Sequence, residues 1–136
     1  MAEKIHFELV SPEKLVMSAD VDMVVVPGND GDFGVLSKHA PVVSTLRTGL
    51  LQVHQDGEVS DILLYGGFAE VNPKGLTVLA EEATPLKDVN RAALEADLKE
   101  VEADLEIAKT DEQKDKGEKA KGRLTEMLAV LDLHGA

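Results

Sequence analysis

The chain contains no cysteine and no tryptophan, and only three Phe and one Tyr among 136 residues. Without cysteine it can form neither a disulfide framework nor a thiolate metal site. With so few aromatics and a hydrophobic fraction of 43%, any core must be aliphatic. No apolar run approaches the ~18 residues of a membrane-spanning helix. The opening Met1-Ala-Glu-Lys-Ile-His6 lacks the basic-then-apolar order of a secretory signal, and a cytoplasmic protein is expected. Positive charge is also scarce. Fourteen Lys and Arg stand against 26 Asp and Glu, a formal net charge of −12. That balance argues against nucleic acid and against an anionic lipid surface as partners.

Catalytic constellations are missing as well. The histidines at 6, 39, 54 and 134 do not have the close spacing of a zinc site. Asn29-Asp30-Gly31-Asp32 resembles the start of a calcium loop, but Ala40 stands where the distal bidentate Glu would be. The same acidic loop would repel a phosphate. No Lys-Ser/Thr pair follows it, and no G-x-S-x-G elbow occurs anywhere. We therefore expect no catalytic residues, no metal and no enzyme activity.

What the chain does contain is two kinds of periodicity. Up to about residue 84 the period is two: Ile5, Phe7 and Leu9 alternate with His6 and Glu8, and Val21, Met23 and Val25 with Asp20 and Asp22. Further strands are predicted at 42–47, 50–55, 59–65, 67–71 and 76–80. Asp56-Gly57 and Asn72-Pro73-Lys74-Gly75 supply hairpin and turn chemistry between them. From Asp88, a plausible N-cap, the period becomes helical. Leu94, Leu98, Val101, Leu105 and Ala108 form one seam; Ala120, Leu124, Met127 and Leu131 form a second. Thr110-Asp-Glu-Gln113 between them reads as a capping box, so the two helices must fold back as an antiparallel hairpin. The predicted fold class is α+β: residues 1–85 an antiparallel β-sandwich of about ten short strands, residues 86–136 a two-helix hairpin.

Two features of the second helix stand out. Gly117 and Gly122 each cost roughly 1 kcal/mol relative to Ala in a helix interior. They give either a helix that opens readily or one whose axis approaches its neighbour closely. Lys114, Lys116, Lys119, Lys121 and Arg123 form a local charge reversal, readable as a solvated face or as a surface for one acidic partner.

The stretch Pro27-Gly-Asn-Asp-Gly-Asp-Phe-Gly-Val-Leu-Ser-Lys-His-Ala-Pro41, closed by Leu46-Arg-Thr-Gly49, reads bottom-up as a rigid, exposed loop system on a β scaffold. It also resembles the pattern P-G-x-x-G-x-F-G-[VI]-L-x-x-H-A-P of the epsilon subunit of F-type ATP synthases, called delta in mitochondria. Gly66-Gly-Phe-Ala-Glu-Val71 is similar to that family's G-G-F-x-E-V element. The resemblance covers essentially the whole chain. It implies a non-catalytic rotor subunit of the central stalk, peripheral at the cytoplasmic face of the inner membrane. Such a subunit couples proton flow through the c-ring to ATP synthesis in the catalytic head.

By the same resemblance Gly31, Asp32, Phe33 and Gly34 meet the c-ring, and Pro27, Gly28, His39, Pro41, Gly66 and Gly67 set loop geometry. The gamma subunit would bind the sandwich through apolar runs such as Leu50-Leu51 and Ile62-Leu63-Leu64. Lys114, Lys116, Lys119, Lys121 and Arg123 would reach an acidic surface of the alpha/beta head and restrain ATP hydrolysis. Some members bind ATP through [IL]-D-x-x-R-A. Here Lys87-Asp88-Val89-Asn90-Arg91-Ala92 offers Asp88 and Arg91 to a nucleotide, with Lys87 in place of the aliphatic residue. Asp88 also reads as a plain helix cap and Arg91 as a solvated first-turn residue. No other cofactor is expected. The alternative function is a free-standing, ligand-sensing regulatory module on the same sandwich.

Overall fold

A computed structural model describes residues 3–135 of the chain. They form ten strands, a short 3-10 turn and two helices: β1 (Ile5–Ser11), β2 (Lys14–Val21), β3 (Met23–Gly28), β4 (Gly31–Val35), β5 (Val42–Thr45), β6 (Gly49–Gln55), β7 (Glu58–Tyr65), β8 (Phe68–Asn72), β9 (Gly75–Leu79), β10 (Glu82–Pro85), the turn Leu86–Asp88, α1 (Arg91–Glu106) and α2 (Asp111–Leu133). The chain divides into two compact units, one ending at Val89 and one beginning at Asn90.

The strands make two five-stranded sheets, ordered β2-β1-β9-β8-β5 and β10-β7-β6-β3-β4. All pairings are antiparallel except β1 with β9, which run parallel. The inward residues of the two sheets fill one aliphatic core around Phe7, Leu9, Val24, Val26, Leu51, Leu64, Leu76 and Val78. Phe7 is the one fully buried aromatic ring among the described residues. At roughly 25 cal/mol per Å² of apolar area removed from water, this cluster is the main stabilising term of the unit.

Turn chemistry acts as read. Asp56 and Gly57 join β6 to β7 with φ of 53° and 83°, the positive values that a two-residue hairpin turn requires. In the β8–β9 turn the Lys74 amide donates to Asn72 Oδ1 at 2.8 Å.

Three elements depart from the sequence reading. β2 and β10 were not anticipated: Lys14–Val21 and Glu82–Pro85 are sheet-edge strands whose burial does not follow a period of two. The glycine-rich stretch is not one long loop. Gly31–Val35 pairs with Val24–Gly28 as a hairpin, and an irregular connection follows it. The glycines do not interrupt this pairing, since Gly28 and Gly31 face each other across the Asn29-Asp30 turn.

In the second unit the half-buried apolar positions of α1 are Leu94, Leu98, Val101 and Leu105, with Ala108 just beyond its end, so the predicted seam is the observed one. The fully buried residues are Leu124, Met127 and Leu131, all on α2. Thr110 and Gln113 form the predicted capping box. The cap of α1 is Asn90 rather than Asp88: Asn90 Oδ1 accepts from the Ala93 amide at 3.0 Å, while Asp88 sits in the preceding 3-10 turn. Val89 is extended, which interrupts the helix two residues before it starts.

Candidate functional site: a buttressed glycine hairpin

The β3–β4 hairpin is built by close packing as much as by turn geometry. A Cβ at Gly28 would stand 2.6 Å from the Gly31 carbonyl oxygen and 2.9 Å from the Phe33 ring, so the ring requires glycine there. Pro27 packs in the same way on Gly49, where a Cβ would meet the proline at 2.9 Å. Gly31 has a φ of 135°, a region L side chains avoid.

Backbone bonds from a neighbouring segment hold the hairpin down. The Asn29 amide donates to Thr45 O at 2.9 Å and the Arg47 amide to Pro27 O at 3.0 Å. The Leu46 amide donates to Gly67 O at 2.9 Å, so this one segment ties the hairpin to the β7–β8 connection. At Gly67 φ is 114° and a Cβ would lie 1.9 Å from the Leu79 carbonyl oxygen. Gly66 has a φ of 65° beside Glu81. The glycine pair is thus a backbone crossing point that admits no side chain at position 67.

Arg47 was not singled out by sequence reasoning, and it organises the hairpin's polar end. Its Nη1 donates to Gly28 O at 2.6 Å and its Nη2 to the Asp32 carboxylate. Asp32 is 56% exposed at the side chain, so the ion pair is presented at the surface. What faces outward is therefore a fixed, largely neutralised pair rather than an isolated carboxylate. The signal for this was the one cation of Leu46-Arg-Thr-Gly49 following an acidic turn. Beyond β4, the His39 amide closes a turn on Leu36 O at 3.0 Å, and the ring Nδ1–H donates to Ala40 O at 2.8 Å just before Pro41.

The apolar runs expected to be shared with a partner are mostly used internally. Leu51, Ile62, Leu63 and Leu64 are buried and Leu50 half-buried, because both faces of β7 at 62–64 are covered.

Asp88 and Arg91 fall in different compact units. Arg91 is engaged within its own unit: Nε donates to Glu95 at 2.9 Å and Nη2 to Asp132 near the end of α2. Those acceptors, Asp132 first, hold the guanidinium above its ordinary pKa. It is thus not merely solvated.

The five cations of α2 do not form one stripe. At 100° per residue Lys116, Lys119 and Arg123 lie on one flank of the apolar seam, and Lys114 and Lys121 on the other. Linear proximity had suggested a single face. Lys121 approaches Glu102 at 4.0 Å, and Arg123 Nη1 lies 3.3 Å from the Met127 sulfur. Lys116 lines a groove of ≈ 420 Å³ between the helices, with Val101, Ile107 and Ala120.

No group of three His, Asp or Glu among the described residues could hold a metal ion. None of the described helices is long and apolar enough to cross a membrane.

Two sheets with a buttressed surface hairpin, followed by a helical pair, define a β-sandwich protein with an appended αα-hairpin. Residues 4–86 match the family model for the ATP synthase, Delta/Epsilon chain, beta-sandwich domain. The ATP synthase epsilon chain of Maricaulis maris is 45% identical over 130 residues, 96% of this chain and 98% of that one. That of Paramagnetospirillum magneticum is 52% identical over 115 residues, 84% of this chain and 86% of that one. Among solved structures, a chain of the Euglena gracilis mitochondrial ATP synthase OSCP/F1/c-ring assembly superposes with a TM-score of 0.73 at 26% identity, over 96% of this chain and 83% of that one. The chain belongs to the ATP synthase delta/epsilon family.

Proposed function

We propose that this chain is a non-catalytic rotor subunit of an F-type ATP synthase. It sits on the central stalk between the gamma subunit and the c-ring and couples proton flow to ATP synthesis in the head. One observation carries this reading: the match to an epsilon chain runs through sandwich and hairpin alike, over 98% of the relative's length. The proposed role is peripheral at the cytoplasmic face of the membrane and needs no cofactor in the subunit itself.

The β3–β4 hairpin is the proposed c-ring contact. A polar tip on a rigid, glycine-shaped support suits a surface that must transmit force without deforming. The Arg47–Asp32 pair can exchange partners with polar groups of the ring at little desolvation cost, since both are already exposed. The hairpin of α1 and α2 is the proposed regulatory element against ATP hydrolysis. With the cations on two flanks, only Lys116, Lys119 and Arg123 can meet one acidic surface together. Arg91 is held by carboxylates of its own unit, so ATP binding there would require that clasp to open.

Purification of the assembled ATP synthase from membranes carrying a tagged chain tests the role. Gamma and the c-ring should come with it in fixed stoichiometry. A chain recovered alone, with the synthase intact and lacking it, overturns the reading. Truncation after Val89 should raise ATP hydrolysis while ATP synthesis is retained. Unchanged hydrolysis at low and high salt would remove the regulatory role of the hairpin.

A further inference from the structure

Two charges of the helical unit stand at the wrong ends of their own helices. Arg91 is the first residue of α1, directly after its cap Asn90, and no acidic residue shares that first turn. Asp132 lies in the last turn of α2, where no basic residue accompanies it. The amides at a helix start carry partial positive charge and the carbonyls at its end partial negative charge. Each helix taken singly would therefore be more stable without its terminal charge. The start of α2 follows the ordinary rule, with Asp111 and Glu112 in its first turn.

Antiparallel packing brings the two misplaced charges together. Arg91 Nη2 donates to Asp132 Oδ1 across 41 positions of sequence, while Nε donates to Glu95 Oε1 at 2.9 Å, one turn along α1. Eleven residues further along α1, Glu102 faces Lys121, eleven residues back along α2, at 4.0 Å. The two pairs share one register and, at 1.5 Å per residue, lie roughly 16 Å apart. Their signs alternate. A slip of about one turn in one direction would set Glu102 against Glu118, and in the other would carry Arg91 past the end of α2.

The two ends of the hairpin are held differently. At the tip the capping box fixes the link, and Gly117 lies so close to Leu105 that a Cβ there would stand 2.4 Å from Cδ2. At the open end no link joins the helices directly, and α1 contributes no buried side chain. We propose that the Arg91–Asp132 pair is the clasp that holds the open end shut and sets the register of the hairpin. Its strength does not come from burial, since the side chains are 38% and 64% exposed. It comes from closure, which compensates two unfavourable helix-end charges at once. The guanidinium serves Asp132 and Glu95 through separate N–H groups in a fixed fork, which a lysine could not do. On the regulatory reading above, the clasp then governs how readily the hairpin opens.

Amide hydrogen exchange on the full chain, followed residue by residue, tests the clasp. Arg91→Gln and Asp132→Asn each remove a charge that the helix dipole disfavours, so without a clasp they should slow exchange at their own helix end. With it they should raise exchange about two- to fivefold at Leu94, Leu98, Leu128 and Leu131. The tip, at Lys119 for example, should hardly change. The double variant should exchange like either single one, because one interaction is lost in all three. Arg91→Asp combined with Asp132→Arg should restore protection, the pair being remade with each charge at its favoured end. The gap between wild type and single variants should narrow at 1 M salt, where the screening length is about 3 Å. Slower or unchanged exchange in the single variants, additive effects, or no recovery in the exchanged pair overturns the clasp.

The link to regulation has its own readout in the assembled ATP synthase. Asp132→Asn should lower ATP hydrolysis, and the exchanged pair should restore it. Faster exchange with unchanged hydrolysis overturns the regulatory link and leaves the clasp standing.

Discussion

The two units of this chain solve the burial problem in opposite ways. The sandwich places seventeen buried apolar residues in one cluster and closes every long connection with turn chemistry or a backbone bond. The hairpin buries three side chains, Leu124, Met127 and Leu131, all on one helix, and α1 buries none. Secondary structure of similar regularity thus rests on very different packing. A helix of 16 residues without a buried side chain owes its order to capping and partial seam contacts, which are worth little alone.

The contrast can be broken or sharpened by substitution, the largest effects falling in the sandwich. Phe7→Ala should cost about 3–5 kcal/mol in a denaturant melt, because it empties the centre of an otherwise aliphatic core. The same truncation at Leu98, half-buried on α1, should cost well under half of that. Next comes Gly67→Ala. A φ of 114° alone costs about 1–3 kcal/mol, and the Leu79 carbonyl at 1.9 Å from the new Cβ forces the crossing apart. Melting should show a loss comparable to a core cavity, without any change in apolar area.

The hairpin offers a paired experiment of opposite sign. Gly122 has open space around it, so Gly122→Ala should stabilise α2 by roughly 1 kcal/mol. At Gly117 a Cβ would stand 2.4 Å from Leu105 Cδ2, so Gly117→Ala should give no such gain unless Leu105 changes rotamer. Helix content followed by circular dichroism on heating separates the two. If both glycines behave alike, the seam packing at Gly117 is wrong.

The smallest effect is a pH dependence on the exposed face of β1. Hydrogen bonds to Asp20 first and Glu8 second raise the His6 pKa above the ordinary value of about 6.5. Both ring nitrogens face carboxylates, an arrangement only the doubly protonated imidazolium satisfies. A raised folded-state pKa means the contribution is fully present below about pH 6.5 and is lost as pH rises through the folded value. His6→Ala should remove that slope between mildly acidic and neutral pH. An unshifted His6 titration by NMR would contradict the bridge. Asp22, whose pKa is lowered chiefly by Lys4, contributes in the other sense: its share is lost as pH falls through its folded value.

How much of this was legible in the sequence varies with the kind of signal. The hairpin seams could be read residue by residue, since a heptad on a two-faced helix leaves its burial pattern in the order of Leu and Ala. The turns at Asp56-Gly57 and Asn72–Gly75 were legible because positive φ demands particular residues. Strands β2 and β10 were not, because their burial does not alternate regularly: β2 is irregularly exposed and β10 is half-buried at all four positions. Arg47 stood out only as the single cation of Leu46-Arg-Thr-Gly49, because its meaning lies in a contact fifteen residues away with Asp32. The basic residues of α2 misled for a related reason: five cations close in sequence separate onto two flanks once wound at 100° per residue.

Native-state hydrogen exchange on the whole chain measures the difference between the units directly. The stiff sandwich and weak hairpin predict that amides of β3, β6 and β7 exchange only by global unfolding. Amides of α1 should open at a free energy several kcal/mol lower. Protection of α1 equal to that of the central strands would contradict the division into a densely packed sandwich and a weakly packed hairpin.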